Sequence, residues 1–300
     1  MDAASGFCLG CGRTEEEIAE WSAASDSRRN AIWSLLPERA SELGIAITRL
    51  PWQLGRIAEF VSENLHRRAG TWVIGCHGAA AEFVCRPGKP CRIEVSGNSI
   101  SAIAEGGALQ LTIGEGVRAL ELRAGRGRPG FRAIFLVAVK AKVGLPDADS
   151  LTPLGPDLGA ILPECRGEHL FDLGLGRGDL RFCVRTKEGE LRGKLEEASG
   201  LPLVQLLQDH GAMILRHNPT RVVESTLGRA EIYTPIPPPG GQSPEGPHTH
   251  LFPGQLSSGR PAPPGIDLPP VYALGATFCP HASEPAEHAA PISSSCGKGE

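Results

Sequence analysis

Between residues 72 and 141 the chain reads as one short strand after another, with no helical period between them. Segments 72–76, 80–84, 92–95, 99–105, 109–113 and 117–122 are each only a few residues long, and Gly, Pro or Asn separates most of them. Two parallel strands need a crossover of a dozen or more residues, usually a helix, whereas antiparallel neighbours need only a turn. The spacing therefore predicts an antiparallel meander and excludes a doubly wound βαβ sheet. Residues 131–141 are the strongest single strand, built around the apolar run 133–139. Further strands are expected at 179–185, 221–225 and 230–234, with helices at 188–198 and 203–215. The fold class is α+β: an antiparallel-rich sheet domain with packed helices.

The residues before this body have a different pattern. Thr14 followed by Glu17 is a capping box, opening a short helix through Ile18 and Trp21. Ser25 can cap a second helix with Ile32, Leu35 and Leu36 on its apolar face, ended by Pro37. A third short helix over 38–43 stops at Gly44. A longer helix then begins with Pro51 as its first residue, and Leu54, Ile57, Ala58, Val61 and Leu65 repeat along one side. The expected organisation is a helical module over 1–44, an α+β domain over 45–279 with a Pro-rich loop at 235–265, and a disordered tail over 280–300. Of the 26 prolines, 15 lie in residues 235–300, which marks the change of character.

Charge and hydropathy exclude several classes. A net charge of −4 gives no electrostatic reason to expect nucleic acid or an anionic membrane as partner. The apolar run 133–139 falls far short of the ~20 residues of a spanning helix. Residues 1–6 have neither a basic start nor an apolar run, so a cytoplasmic location is expected. The 9 cysteines are an odd number and no export signal accompanies them, which argues for thiols rather than a disulfide framework.

Two constellations carry chemistry. Cys8-Leu-Gly-Cys11 has the spacing with which two thiolates chelate one zinc or iron ion. A redox dithiol of the thioredoxin kind would need a strand before it, and only seven residues precede Cys8. The remaining alternative is two idle thiols. Since four soft ligands are normally needed, the pair needs completing: a symmetric homodimer pooling two pairs is one way, and an upstream start, other ligands or a module without metal are the alternatives. The second constellation is His248-Thr249-His250, whose i, i+2 spacing puts both imidazoles on one side of an extended segment. Such a pair serves zinc or iron when a carboxylate or a third His joins it. Glu231 is the first candidate for that ligand, followed by Glu224 and His77. The alternative is that one imidazole bonds a backbone carbonyl while the other faces water. Two glycine runs are lures. Gly125-Arg-Gly-Arg-Pro-Gly130 and Gly174-Leu-Gly-Arg-Gly178 both lead into strands, and a dinucleotide site needs a helix there. Arg123, Arg126, Arg128 and Arg132 make the first run a basic hairpin tip.

The run Cys8-Leu-Gly-Cys11-Gly-Arg-Thr14-Glu-Glu-Glu-Ile18-Ala-Glu-Trp21, continued by Leu36-Pro37-Glu38-Arg39, resembles a small proteobacterial family labelled predicted iron–sulfur protein, YdhL-like. The match covers residues 7–43. Members of that family usually have a further Cys pair upstream, and the resemblance implies a metal ion or iron–sulfur cluster as cofactor. Residues 50–279 resemble a second uncharacterised bacterial family, carried by Trp72-Val-Ile-Gly-x-x-Gly-Ala-x-Ala-Glu82-Phe83, Phe171-Asp172-Leu-Gly-Leu-Gly176, Leu227-Gly228-Arg229-x-Glu231 and the Pro-rich stretch ending in Gly246-Pro247-His248-Thr-His250. That resemblance implies a domain and names no reaction. Two functions follow: a metal-binding accessory or scaffold protein acting on an unidentified partner, or a hydrolytic or oxygen-using metalloenzyme centred on His248 and His250. The first is preferred on sequence, because no nucleophile or general base is identifiable.

Overall fold

The structure, a computed structural model, describes residues 1–2, 4–8, 12–21, 23–25, 28, 31–32, 35–36, 38–39, 42–43, 46–85, 88–123, 132–139, 145, 148–175, 179–237, 244–256, 268 and 271–281. In chain order its strands are β1 (Ala46–Arg49), β2 (Gly70–Cys76), β3 (Ala79–Val84), β4 (Cys91–Ser96), β5 (Ser99–Ala104), β6 (Gly107–Thr112), β7 (Val117–Arg123) and β8 (Arg132–Val139). After these come β9 (Thr152–Pro156), β10 (His169–Asp172), β11 (Leu180–Thr186), β12 (Thr220–Ser225), β13 (Gly228–Ile232), β14 (His248–Leu251) and β15 (Tyr272–Pro280). The helices are α1 (Glu15–Glu20), α2 (Leu54–Arg67), α3 (Gly189–Glu197), α4 (Leu203–His217) and the single turn α5 (Pro253–Leu256).

The strands form a seven-stranded sheet in the order β1-β7-β8-β15-β2-β3-β14 and an eight-stranded sheet in the order β4-β5-β6-β13-β12-β11-β10-β9. Every pairing is antiparallel, as the short separators require. The two sheets share one apolar interior. Trp72, Ile74, Ala81 and Phe83 enter it from the first sheet, and Leu109, Phe182, Val223 and Ile232 from the second. Leu191 and Leu195 of α3, Leu206 of α4 and Ile57, Val61 and Leu65 of α2 join the same cluster. Burying each such side chain stabilises the fold by about 1.5–3 kcal/mol. Trp52, Phe60, Trp72 and Phe278 form an aromatic cluster with centroids 5.0 to 6.1 Å apart, in which Phe60 meets Trp72 and Phe278 edge to face and the other two pairs are tilted at 46°.

The expected strands over 72–141, 179–185, 221–225 and 230–234 and both later helices are present, each within two residues or so of the expected bounds. Three expectations are corrected. The helix after Pro51 starts at Leu54 with Gln53 as its cap, so the proline lies outside it. The segment 235–265 is not loop throughout, since β14 and α5 lie inside it. The boundary expected between domain and tail at 279/280 falls inside β15, which runs to Pro280 and sits in the middle of the first sheet, between β8 and β2. The basic hairpin tip 124–130 and the tail beyond 281 lie outside the described residues, although β7 and β8 do pair across that tip, Arg123 opposite Arg132. No helix among the described residues is long and apolar enough to cross a membrane.

In the N-terminal module the capping box forms as expected. The Thr14 amide donates to Glu17 Oε2 at 2.9 Å and the Glu17 amide to Thr14 Oγ1 at 3.2 Å. Glu17 also takes both arms of Arg39, at 2.6 and 3.1 Å, while the same guanidinium reaches the Gly12 carbonyl at 3.2 Å. One arginine thereby ties the loop after the cysteines to α1, and it lies over the Phe7 ring. The Cys8 amide donates to the Arg13 carbonyl at 2.6 Å and the Gly12 amide to the Cys8 carbonyl at 2.7 Å, which ties Cys8 to the residues ahead of α1. Cys11 itself lies outside the described residues.

Candidate metal centre

The residues at the free edge of the first sheet bring three donors together. Among the described residues strand β14 pairs only with β3, in a register that sets His248 opposite Glu82 and His250 opposite Ala80. Directly opposed residues in an antiparallel pair point to the same face, and so do residues two apart on one strand. Ala79, Ala81 and Phe83 of β3 face the interior, so Glu82, His248 and His250 all face outward. The measured distances follow: His248 Nε2 to His250 Nε2 is 2.9 Å, His250 Nε2 to Glu82 Oε1 is 3.2 Å and His248 Nε2 to Glu82 Oε2 is 3.6 Å. One ligand atom from each residue lies within 4.8 Å of the other two.

Why the strand sits there is readable from its flanks. The His248 Nδ1 atom lies 2.9 Å from the Gly246 carbonyl and donates to it. That bond assigns the proton to Nδ1 and turns the Nε2 lone pair toward the other two donors. Pro247 is fixed from two sides. Thr234 Oγ1 donates to its carbonyl at 2.6 Å, and its ring packs on Gly107, where a Cβ would come within 2.5 Å of Pro247 Cβ. Only glycine lets the β5–β6 turn approach so closely. On the inner side of β14, Thr249 accepts from Arg221 Nε at 3.3 Å and Leu251 packs against the apolar interior. After β14 the Phe252 amide donates to the Gly78 carbonyl at 2.6 Å, which seats α5 on the β2–β3 turn. Gly78 has a positive φ, and a Cβ there would come within 3.1 Å of Gln255 Cβ and the Phe252 carbonyl, a tight contact on a backbone conformation that side chains disfavour. Phe252 then stacks on His250 with an interplanar angle of 18°.

Electrostatically, the His250 imidazole holds the Glu82 carboxyl below the ordinary carboxylate range, against the opposing effect of partial burial. His248 is buried, while His250 and Glu82 are about 30% exposed, so one side of the group faces solvent. Two Nε2 atoms 2.9 Å apart need a proton or a cation between their lone pairs. Donors that share an ion at 2.0–2.1 Å stand about 3.4 Å apart in tetrahedral and about 3.0 Å apart in octahedral geometry. The observed 2.9–3.6 Å spans both values. The set fits an ion of the zinc or iron class.

The structure brings together two of the residues expected to ligate a metal and replaces the third. Glu231 is on β13 of the other sheet, and its side chain is completely buried on that sheet's outer face. It bonds Arg185 Nη2 at 2.9 Å, Arg229 Nε at 2.8 Å, Tyr233 Oη at 2.8 Å and the Ile161 amide at 2.9 Å. Because Ala230 and Ile232 take the inner face, the alternation of β13 turns Glu231 away from β14. Glu224 belongs to the same ion-pair cluster, through Arg229 at 2.7 Å and Arg181 at 3.3 Å. His77 lies in the β2–β3 turn, outside the three-residue group. Sequence reasoning missed Glu82. Its signal was there: it is the only charged residue of a strand otherwise composed of Ala, Phe and Val. Among the described residues no second group of three donors forms, and Cys8 is not in one.

The class of protein defined by these features is a two-sheet antiparallel α+β body with a Glu-His-His group on an edge strand and a small helical Cys-bearing module before it. A family model described as "Family of unknown function (DUF6925)" matches residues 56–290, and the chain belongs to that family. Residues 1–40 match a second model, described as "Protein of unknown function (DUF1289)". The two resemblances read from the sequence thus correspond to two families, neither of which carries a functional name. No curated protein and no solved structure matches the chain.

Proposed function

We propose that the chain is a metalloprotein that holds one divalent transition-metal ion between Glu82, His248 and His250. The observation that supports this reading is the spacing of the three donors, 2.9–3.6 Å, reached from two paired strands with the His248 tautomer set by a backbone carbonyl. Two imidazoles and a carboxylate suit zinc and ferrous iron, and three protein ligands leave coordination positions for water or substrate. Closed structural sites use four ligands, so an open set favours the metalloenzyme reading over the accessory one. A bound ion would lower the pKa of a coordinated water or polarise a substrate oxygen. Glu82→Gln, His248→Ala and His250→Ala test the reading. Each should abolish or strongly weaken binding of added Zn²⁺ in calorimetric titration while leaving the fold intact by circular dichroism. Unchanged affinity in all three would remove the proposal.

A second centre is proposed for the N-terminal module. Cys8 and Cys11 have chelating spacing in the sequence, the described Cys8 is held by its backbone bonds to Arg13 and Gly12, and two copies of the chain would supply four thiolates.

A further inference from the structure

Three arginines among the described residues are buried to 8% exposure or less: Arg185, Arg221 and Arg229. Two of them are heavily compensated. Arg185 meets Asp157 at 2.9 Å, Glu168 at 3.2 Å and Glu231 at 2.9 Å. Arg229 meets Asp157, Glu224 at 2.7 Å and Glu231 at 2.8 Å. Arg221 meets no carboxylate among the described residues. Its Nε donates to Thr249 Oγ1 at 3.3 Å, Nη1 to the Pro219 carbonyl at 3.3 Å and Nη2 to Thr234 Oγ1 at 3.4 Å. All three distances are at or beyond the long end of the N–H···O range. A guanidinium has five N–H groups, so two remain, one on each terminal nitrogen. Burial alone, with no neighbouring charge opposing it, pulls Arg221 down to about 10. An uncompensated buried charge is among the costliest features a fold can carry, and an apolar residue at the same place would avoid that cost.

The position of Arg221 suggests what offsets the charge. It is the second residue of β12, on the inner face alongside Val223 and Ser225, at the end of the sandwich where β13 leaves through Thr234 and β14 carries Thr249. Both threonines keep part of their surface in solvent. The guanidinium therefore lies against two partly exposed threonines, with one N–H on each terminal nitrogen left without a partner among the described residues. A planar guanidinium matches an oxyanion bidentately, and the Thr249 hydroxyl adds a further donor, whereas the Thr234 proton is already given to the Pro247 carbonyl. We propose that Arg221 and Thr249 form a binding site for an oxyanion group, carboxylate or phosphate, at this end of the sandwich, with Thr234 holding the guanidinium in place. The site is separate from the metal group, because Thr249 points to the opposite face of β14 from His248 and His250.

The test is calorimetric titration of the full chain with inorganic phosphate and, in a separate arm, with acetate, at constant ionic strength. The wild-type chain should bind at least one probe saturably, and the stronger arm tells phosphate from carboxylate chemistry. Arg221→Met should weaken that binding by about tenfold or more. The same titration in Glu82→Gln separates this site from a probe coordinated to a metal, and binding there should be unchanged. Where Arg221→Met does not fold, the Arg221 Nε–Hε resonance of the wild-type chain, assigned with Thr249→Val as a neighbour perturbation, should shift on adding the probe. Absence of binding by both probes overturns the proposal. So does equal affinity in wild type and Arg221→Met, or an Arg221 resonance that does not move.

Discussion

Replacing Glu231 by Ala removes the centre of a buried charge cluster. Arg185 loses one of three carboxylate partners, Arg229 loses one of three, and the Tyr233 hydroxyl and the Ile161 amide lose their acceptor. Removing one partner of a buried pair typically costs 3–5 kcal/mol, because the other charge stays behind uncompensated. For a body of this size each kcal/mol lowers Tm by about 2–4 °C, so a fall of roughly 6–20 °C is expected. The carboxyl titrates in a defined direction. Burial alone would raise it, but Arg185 and Arg229 bring it below the ordinary range. A depressed carboxyl contributes stability that is fully present above its unfolded value, about 4.3, and lost as pH falls through its folded value. The stability gap between wild type and Glu231→Ala should therefore be constant near neutrality and close as the solution is acidified below about 4. Differential scanning calorimetry at pH 7 and across the acid range measures both. A Tm change under 2 °C at pH 7 would refute the structural role, and loss of bound metal in this variant would restore Glu231 as a ligand.

Gly107→Ala forces Pro247 away from the β5–β6 turn and with it the carbonyl that orients His248. Zn²⁺ affinity should fall about 10–100-fold, the usual effect of disturbing a group that orients a ligand, as read by titration. Arg39→Ala leaves the buried Glu17 carboxylate without its bidentate partner, at a cost of about 1–3 kcal/mol. Hydrogen exchange should quicken over α1 and stay unchanged over β2 and β3. Changing Cys8 and Cys11 together to Ser should shift the chain toward monomer in analytical ultracentrifugation and remove any thiolate-to-metal absorption. A spectrum and mass unchanged by that double substitution would show the Cys module to be idle.

The strands read correctly in advance are those whose two faces differ. In β2 and β3 buried and half-buried positions alternate strictly, so the period-2 pattern is written in the sequence. Strand β15 escaped because it lies between β8 and β2, with Ala273, Leu274, Gly275 and Ala276 all buried. A strand covered on both faces has no alternation to read, and Gly275 with Pro280 makes it resemble loop. β9 contains two prolines and is tolerated only because it is an edge strand. β14 is polar, His-Thr-His-Leu, and owes its strand geometry to pairing with β3 rather than to its own propensity. The same fact explains the ligand set. His248 and His250 share a face by local spacing, which sequence shows, whereas Glu82 joins them through a strand register 166 positions away in the chain, which sequence does not show.

The most direct measurement is the metal content of the full chain after chelator stripping and reconstitution with Zn²⁺. It is compared among wild type, the Cys8→Ser/Cys11→Ser double variant and His248→Ala/His250→Ala. If Glu82, His248 and His250 are the centre, one equivalent per chain persists in the cysteine variant and disappears in the histidine variant. Equal metal content in the wild type and the histidine variant would contradict the account.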